Sequence, residues 1–593
     1  MPTQATSSGA VAAAGSATAA EVRRRLLVEL YGPDVADRLA VDVERLLKRH
    51  HARSRRPQRW NERDAWLIAY PDQFRRPGEA PLATLRTVVE DVFDPWFNGL
   101  HVTPFFPSTS DEGFAVTDYL AVDERYGTWE DVAALARGRR LALDVVLNHL
   151  SASSDWFQRF LASDPRYRGF FRTADPNADL SAVVRPRTRP LLTRFPSANG
   201  PVWAWTTFSA DQVDLDYRTP EVLVRVLQVL LAYVERGASV LRLDAVAFLW
   251  KQEGTPCIHL PQTHAIVRLL RSCIESVDPS VLVLTETNVR HEENVSYFGS
   301  PGADEAHLVY QFPLPPLTLH ALLTEDASRL RSWAATLEPP RTGTAFVNFL
   351  ASHDGVGIRP AEGLLNAGDV ARLAEVAVRA GGDITRRTVA NGGTAVYELN
   401  STWYALMAAE CSKQVGLRRH LAAHAIMLSL RGIPATYVQS AVASENDRPR
   451  FERTGEPRAL NRRRFDDVPG FQRAVRDPRT RAGAAWRGLR RMLIARAATP
   501  AFHPDSPQTV LQAPPQVFAV ERTADSGERA RVFVNVSGTP RTVTLESDGV
   551  RWTPLAGRST QPAGERVELA PWSSLWMRAT RSVSVRRRTP TPP

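Results

Sequence analysis

The sequence has little lysine and little cysteine, and each shortage excludes a class of protein. Lysine occurs only at Lys48, Lys251 and Lys413, so arginine supplies all but three of the 74 basic residues. The arginines are scattered along the whole chain, which favours composition bias and solvated faces over a nucleic-acid partner as the origin of the +10 charge. Three cysteines without metal-ligand spacing argue against a disulfide framework and predict a reducing, cytoplasmic location.

Long hydrophobic runs are missing as well. No stretch approaches the roughly 18 uninterrupted apolar residues of a membrane-spanning helix, so no membrane partner is predicted. The first residues have neither the basic nor the leucine-rich region of a signal peptide, and segments 1–20 and 581–593 are predicted to be disordered tails. With 43% hydrophobic and 23% charged residues, the 593-residue chain is predicted to be globular, with two or three domains.

The rest of the chain alternates strand-like and helix-like patterns. Segment 21–60 has the apolar spacing of two amphipathic helices. Eight short apolar runs follow, most of them separated by helix-patterned stretches: Ala65–Tyr70, Leu100–Pro104, Leu141–Val146, Ser239–Leu243, Val281–Leu284, His307–Tyr310, Ala345–Leu350 and Ile433–Tyr437. This alternation predicts an α/β fold with a catalytic (β/α)8 barrel over residues 61–495.

Two intervals between these runs are too long for simple connections. The segments at about 151–218 and 355–415 are predicted to be insertions at the C-terminal face of the barrel, where loops of that length usually build a substrate pocket. Over residues 496–580 the pattern changes to alternating strands with turn signals. This change predicts a C-terminal antiparallel β domain.

Three acidic residues lie at or just beyond the ends of strand-like runs: Asp244, Glu286 and Asp354. Parallel α/β barrels carry their catalytic groups at the C-terminal ends of the strands, so these carboxylates are predicted to meet in one pocket of an enzyme. Arg242 lies two residues before Asp244 and therefore on the same face of the strand. Its guanidinium can hold that carboxylate ionised and oriented.

Two kinds of chemistry use several carboxylates around one pocket. Glycosyl transfer passes through an oxocarbenium-like state that needs a nucleophile below the sugar and an acid at the leaving oxygen. Asp, Glu and His at strand ends can instead hold Mg²⁺ or Zn²⁺. Because Arg242 beside Asp244 would repel a cation, glycosyl transfer is favoured over metal-dependent hydrolysis.

Four segments carry a resemblance to a known family. The sequences DVVLNH at 144–149, RLDA at 242–245, TETN at 285–288 and HD at 353–354 resemble, in the same order, the four signature regions of the α-amylase family of glycoside hydrolases. Further segments at 105–114, 122–127, 250–255 and 459–462 resemble the sucrose phosphorylase group within that family. The resemblance covers about residues 60 to 580 and implies a catalytic barrel without a metal or another cofactor.

The resemblance also implies a role for each matching residue. Asp244 would be the nucleophile, Glu286 the general acid and base, and Asp354 the carboxylate that holds sugar hydroxyls in the transition state. The residues that would orient the nucleophile or bind the glucosyl unit are Arg242, Asp111, Phe114, His149, His353 and Arg462. The residues that would contact phosphate or the acceptor are Arg187 and Tyr397.

The implied reaction is a retaining phosphorolysis, in which a glucosyl group passes from a small α-glucoside to inorganic phosphate and α-glucose 1-phosphate is formed. Glucosylglycerate is the favoured α-glucoside, with sucrose and sucrose 6-phosphate as alternatives. Two other functions stay open. The chain could be an α-glucosidase or transglucosidase with the same carboxylates, or a non-catalytic carbohydrate-binding protein. The expected assembly is a monomer or a homodimer.

Overall fold

The computed structural model describes residues 18–50, 60–299, 302, 304–338, 341–389, 393–545, 550–557 and 566–580. The predicted tail 581–593 and residues 1–17 of the other predicted tail lie outside this part of the chain. The first helix begins at Ala19, inside the segment 1–20 that was expected to be a tail.

Eight parallel strands close into a barrel, and each is hydrogen-bonded to the barrel strands that come before and after it along the chain. They are β1 Trp66–Ala69, β2 Gly99–Val102, β3 Arg140–Val146, β4 Val240–Asp244, β5 Leu282–Thr285, β6 Leu308–Tyr310, β7 Ala345–Asn348 and β8 Ile433–Tyr437. The barrel closes between β1 and β8, where Trp66 pairs with Ala435. Each strand overlaps one of the eight predicted runs, so the prediction of a (β/α)8 barrel is confirmed.

The strand sequences are apolar on both faces because both faces are buried. In β4, Val240 packs inside the barrel, whereas Leu241 and Leu243 pack against the surrounding layer of helices. Arg242 shares the inner face with Val240 and with Asp244, since side chains alternate along a strand. The pattern of β4 therefore brings its two charged residues to the mouth of the barrel.

Helices surround the barrel and fill its long connections. Their bounds are Pro81–Val88, Trp129–Leu135, Asp155–Leu161, Pro220–Glu235, Pro261–Val277, His291–Val295, Leu314–Thr324, Ser328–Thr336, Ala367–Arg379, Trp403–Ala408, Lys413–Ser429, Val438–Ala441, Arg448–Thr454, Val468–Arg476 and Arg481–Ala497. Within the described ranges, none of the helices has the length and apolar character that crossing a membrane requires.

Small sheets form in both long connections and after the barrel. The connection after β3 contains the antiparallel pairs His149–Ser151 with Gln212–Asp214, and Leu192–Phe195 with Val202–Trp205. The connection after β7 contains a three-stranded sheet of Val356–Gly357, Asp383–Thr388 and Thr394–Asn400. The C-terminal strands are Gln508–Val510, Val517–Thr523, Arg529–Asn535, Arg541–Thr544, Arg551–Gly557, Arg566–Leu569 and Ser574–Thr580. They form the antiparallel β region that the alternating pattern predicts.

A helical hairpin precedes the barrel and packs on its outer layer. It consists of α1 Ala19–Tyr31 and α2 Pro33–Arg49. The buried guanidinium of Arg23 donates to the Glu44 carboxylate at 2.6 Å and to the Ser276 hydroxyl at 2.7 Å. These bonds join both hairpin helices to the barrel helix that carries Ser276. The hairpin is therefore part of the folded body.

Truncation of Leu27 tests this packing. Leu27 has no exposed surface, so Leu27→Ala is expected to lower the free energy of unfolding by about 2–5 kcal/mol through lost apolar contact and a residual cavity. Val41 on α2 is 57% exposed, and Val41→Ala is expected to change the same quantity by less than about 0.5 kcal/mol. Urea denaturation followed by circular dichroism measures both. Equal effects would show that α1 does not pack as described.

Candidate active site

A cleft of about 610 Å³ opens at the C-terminal ends of the barrel strands. Eight of the eleven residues singled out in the sequence line it: Asp111, Phe114, His149, Arg187, Asp244, Glu286, Asp354 and Tyr397. Arg242 and His353 line a smaller adjoining cavity, whose wall also includes Glu286 and Asp354. The structure thus brings together residues from the ends of five strands and from both insertions.

Asp244 and Glu286 are held next to each other by the backbone. Asp244 is the last residue of β4, and Ala245 takes a left-handed conformation with φ of 48°. In that conformation the Ala245 N–H donates to Oε2 of Glu286 at 3.1 Å. A non-glycine residue in this region stores strain, which is typical of functional sites. The strained turn therefore places the two carboxyls side by side.

Arg242 supports Asp244 from inside the barrel. Its guanidinium donates to Oδ1 of Asp244 at 2.8 Å and also to the carboxylate of Asp144. Asp144 in turn bonds to Nε2 of His101 at 2.8 Å. All three partners are buried, so this network fixes the side chain of Asp244 and favours its charged form.

Of the two carboxyls of Asp244 and Glu286, Glu286 is the one that holds a proton more readily. Burial raises the pKa of Glu286 to about 8; Arg242 opposes this shift, and the charges of Asp244 and Asp354 add to it. Burial also raises the pKa of Asp244, but there the Arg242 guanidinium counteracts it through a direct hydrogen bond. Because the direct hydrogen bond from Arg242 goes to Asp244, Asp244 is the more acidic member of the pair, and the proton is expected on Glu286.

Asp354 lies in a tight turn that a glycine makes possible. Gly355 has φ of 88°, and a Cβ there would lie 2.2 Å from the carbonyl oxygen of Leu399. Burial opposes ionisation of Asp354, but the neighbouring His353, Arg458 and Arg242 groups outweigh it and hold the pKa of this carboxyl well below its usual range. Asp354 is therefore an anion throughout the neutral pH range.

Arg458 joins the carboxylates of the cleft. It donates to Oδ1 of Asp354 at 2.5 Å and to Oδ1 of Asp111 at 2.7 Å. Its guanidinium also lies 4.8 Å from the centre of the Phe114 ring, within the range of a cation–π contact. The side chain of Gln212 donates to the other oxygen of Asp111 at 2.9 Å. Arg458 thus belongs to the wall on which the sequence predicted the glucosyl unit to bind.

The structure does not bring Arg462 to the cleft, which differs from the expectation of a glucosyl-binding residue. Its side chain is 2% exposed and forms ion pairs with Asp72, at 2.8 Å, and with Glu112. The ring of Tyr70 lies 3.6 Å from the guanidinium carbon. Because two carboxylates and an aromatic ring already surround Arg462, it supports the loop around Glu112 from behind.

The sequence reasoning therefore missed Arg458, which lies four residues earlier in the short helix Pro457–Asn461. One signal could have found it. Two adjacent acidic residues, Asp111 and Glu112, need cationic partners, and the segment that contains Arg462 holds several arginines.

A pair of substitutions separates these two arginines. Arg458→Gln is expected to lower kcat/KM for the glucosyl donor by about 10-fold to 150-fold, because hydrogen bonds to charged groups are lost in the cleft. Arg462→Gln is expected instead to lower the free energy of unfolding by about 1.5–3 kcal/mol, because it removes buried hydrogen bonds to Asp72 and Glu112, which keep Arg464 and Arg450 as partners. Steady-state kinetics and urea denaturation of both variants measure the difference. A stable Arg462 variant with the larger kinetic loss would reverse this assignment.

The two insertions meet at the wall that carries Arg187 and Tyr397. Nη1 of Arg187 lies 3.2 Å from Oε2 of Glu398, and its guanidinium carbon lies 5.1 Å from the centre of the Tyr397 ring. Burial raises the pKa of Glu398, and Arg187 opposes that shift. Glu398, Asn288 and Arg359 line the same cleft, although the sequence reasoning did not single them out.

A buried lysine pairs with two polar residues of the connection after β3. Nζ of Lys251 donates to Oδ1 of Asn148 at 2.7 Å and lies 2.9 Å from Oδ2 of Asp214. Lys251 is 2% exposed, and its ammonium group balances the charge of the buried Asp214 carboxylate. Within the part of the chain that the structure describes, no group of three or more His, Cys, Asp or Glu residues could hold a metal ion.

Comparisons with known proteins show the family to which the chain belongs. Residues 70–354 match the model of the α-amylase catalytic domain. The chain is 44% identical over 548 residues to a glucosylglycerate phosphorylase of Spirochaeta thermophila, covering 91% of this chain and 93% of that protein. It is 40% identical to a glucosylglycerate phosphorylase of Escherichia coli, covering 88% and 93% of the two chains.

The fold has solved counterparts as well. The crystal structure of sucrose 6F-phosphate phosphorylase from Thermoanaerobacter thermosaccharolyticum superposes with a TM-score of 0.71 at 24% identity, covering 86% of this chain and 98% of that one. This likeness concerns the fold alone. Together with the relatives at 40% and 44% identity over most of their length, the matches identify the family. The chain belongs to the α-amylase family, within the phosphorylase branch that includes the glucosylglycerate phosphorylases.

Proposed function

We propose that the protein is a retaining phosphorylase that transfers a glucosyl group from glucosylglycerate to inorganic phosphate, forming α-glucose 1-phosphate. The observation that carries this proposal is the pair of buried carboxyls at Asp244, which bonds to the Arg242 guanidinium, and Glu286, which accepts the Ala245 N–H and whose pKa burial raises to about 8. A retaining mechanism requires a nucleophile and an acid that adjoin each other. The relatives named glucosylglycerate phosphorylase support the choice of substrate.

The first half-reaction uses both members of this pair. The glucosyl unit binds against Phe114 with its hydroxyls at Asp111 and Asp354. A carboxylate oxygen of Asp244 attacks the anomeric carbon, and the bond from that carbon to the glycerate oxygen breaks. Glu286 gives its proton to the departing oxygen, so glycerate leaves as an alcohol. The product on the enzyme is a glucosyl ester of Asp244 with inverted configuration.

The second half-reaction reverses these roles. Formation of the ester removes the negative charge of Asp244, which is one of the causes that raise the pKa of Glu286. The pKa of Glu286 therefore falls once the ester has formed, and Glu286, which has already given up its proton, stays ionised. Its carboxylate is then available as the base. It accepts a proton from phosphate while a phosphate oxygen attacks the anomeric carbon and the ester bond breaks. Two inversions give α-glucose 1-phosphate.

Phosphate competes with water for the glucosyl ester, and the charge of the cleft decides between them. Arg187 and Arg359 both line it, and although Glu398 pairs with Arg187, a guanidinium wall attracts anionic phosphate more strongly than neutral water. This charge favours phosphorolysis over the α-glucosidase and transglucosidase alternatives. The complete set of carboxylates at Asp244, Glu286 and Asp354 argues against a protein that only binds carbohydrate.

We further propose that the protein acts in the cytoplasm as a monomer or a homodimer. Cys257, Cys273 and Cys411 are all free thiols, which suits a reducing compartment. Size-exclusion chromatography with light scattering distinguishes the two assemblies, and either larger oligomers or an open filament would contradict this part of the proposal.

An acceptor screen in the synthetic direction tests the proposed function. The enzyme is supplied with α-glucose 1-phosphate and, separately, with glycerate, glycerol, fructose or fructose 6-phosphate, and the release of phosphate is measured. We expect the largest kcat/KM with glycerate. A larger value with fructose or with fructose 6-phosphate would replace glucosylglycerate with sucrose or sucrose 6-phosphate as the natural donor.

A further inference from the structure

Two arginines from different insertions face the cleft beside the catalytic pair. Arg187 comes from the connection after β3, and Arg359 comes from the connection after β7. Arg359 begins a short helix, and the preceding residue, Ile358, donates its backbone N–H to the carbonyl oxygen of Tyr397 at 2.8 Å. This bond ties Arg359 to the strand that carries Tyr397 and Glu398. The wall of the cleft at this point therefore contains two guanidiniums and one carboxylate.

The two guanidiniums differ in their partners. Arg187 forms an ion pair with Glu398 at 3.2 Å, so these two charges balance each other. The carboxylate contact of Arg359, with Glu293, is 3.7 Å long, which exceeds a hydrogen bond. Glu293 is also engaged by Arg290, at 3.0 Å. Among the described residues, the structure shows no acceptor within hydrogen-bond distance of the Arg359 guanidinium.

Arg359 nevertheless lies in a place where an incompletely paired charge is costly, because Glu293 faces it at 3.7 Å without a hydrogen bond. Its side chain is buried to about nine-tenths, and a buried charge is stable only when it is paired and hydrogen-bonded. An anion in the cleft would meet this requirement. A guanidinium matches a carboxylate or a phosphate with two parallel hydrogen bonds, which a neutral alcohol cannot provide.

We propose that Arg359 is the residue that makes the enzyme select anionic acceptors. In one half-reaction its guanidinium binds the carboxylate of glycerate, and in the other it binds phosphate. Arg187 and its partner Glu398 form the remainder of the wall: Arg187 adds a second cation, and Glu398 prevents two uncompensated positive charges from lying side by side. This inference rests on the proposed function, because it assumes that both ligands enter the same end of the cleft in turn.

Glu398 also takes part in binding the anion. Because it pairs with Arg187, Arg359 is the guanidinium of this wall whose carboxylate partner lies beyond hydrogen-bond distance, and an anion such as glycerate can pair with it. The carboxylate of Glu398 can in addition accept a hydrogen bond from a hydroxyl group of the ligand. Glycerate carries such a hydroxyl, and so does hydrogen phosphate. One wall can thus serve two chemically different anions in successive half-reactions.

The test compares acceptors that differ only in charge. With α-glucose 1-phosphate as the donor, kcat/KM is measured for glycerate against glycerol and for fructose 6-phosphate against fructose. In whichever of these two pairs the enzyme accepts, Arg359→Gln is expected to lower kcat/KM for the anionic acceptor by about 30-fold or more. The value for the neutral member is expected to change by less than about threefold. Phosphorolysis by the same variant is expected to show a raised KM for phosphate and a nearly unchanged kcat at saturation.

Arg290→Gln is the matched control, because Arg290 contacts the same Glu293 but is exposed and lies outside the cleft wall. Arg290→Gln is expected to leave the ratio of kcat/KM for the charged acceptor to kcat/KM for the neutral acceptor unchanged in both pairs. Equal losses for charged and neutral acceptors in Arg359→Gln would overturn the inference, and so would a wild-type preference for the neutral member of both pairs. If the wild type uses fructose 6-phosphate and not glycerate, and Arg359→Gln abolishes that preference, the proposed donor fails while the role of Arg359 holds.

Discussion

Asp244→Ala is expected to lower kcat for phosphorolysis by on the order of 10⁴-fold or more, because no glucosyl ester can form without its nucleophile. The position of this carboxylate supports the proposed role. It is the inner-facing last residue of β4, fixed by the Arg242 guanidinium at 2.8 Å and adjacent to the acid Glu286. Removal of Asp244 leaves Arg242 paired with Asp144, so the barrel interior keeps a balanced ion pair.

Two measurements complete this test. Asp244→Asn keeps the shape of the side chain and is expected to lose activity to a similar extent, whereas thermal unfolding shows that both variants are folded. Exchange of labelled phosphate into α-glucose 1-phosphate reports the glucosyl ester directly and is expected to vanish in both. An Asp244→Ala enzyme that turned over within about tenfold of the wild type would disprove the nucleophile assignment.

Glu286→Gln is expected to lower kcat/KM for glucosylglycerate by about 10²-fold to 10⁴-fold, because the leaving glycerate oxygen then receives no proton. In the wild type, the pKa of Glu286 is raised to about 8 by burial and by the neighbouring carboxylates. The acid form is therefore present below that pH and is lost above it. We expect kcat/KM to be level near neutral pH and to fall as the pH rises through about 8.

A pH profile of the variant provides the check. Glutamine does not titrate, so the decline above neutral pH that belongs to Glu286 is expected to disappear in Glu286→Gln. A donor whose leaving group needs no proton, such as α-glucosyl fluoride, is expected to form the ester with a far smaller loss. An unchanged basic limb in Glu286→Gln would show that another group supplies the proton.

The barrel was predictable from the sequence because its strands are buried on both faces. Runs such as Val281–Leu284 have no polar positions, and each of the eight runs became a barrel strand. The positions of Asp244, Glu286 and Asp354 followed, since strand ends of a parallel barrel converge at one rim. These predictions needed only local patterns and a closed topology.

Contacts between distant segments were not predictable in the same way. Arg458 and Arg462 are four residues apart, and the sequence does not say which of them faces the cleft. That choice depends on Glu112, which lies some 350 residues earlier in a turn with positive φ. Glu112 forms an ion pair with Arg462 and thereby holds Arg462 away from the cleft. In the acceptor wall, the sequence indicated Arg187 and Tyr397, whereas Arg359 was missed for the same reason. Arg359 reaches the cleft only because Ile358 bonds to the Tyr397 backbone within the second insertion.

Incubation of the enzyme with glucosylglycerate, with and without phosphate, tests the proposed retaining phosphorolysis most directly. The products are separated and their anomeric configuration is determined by nuclear magnetic resonance. We predict that α-glucose 1-phosphate and glycerate form in equal amounts with phosphate, and that little glucose forms without it. Release of glucose at the same rate in both conditions, or formation of the β-anomer of glucose 1-phosphate, would contradict a retaining phosphorylase built on Asp244 and Glu286.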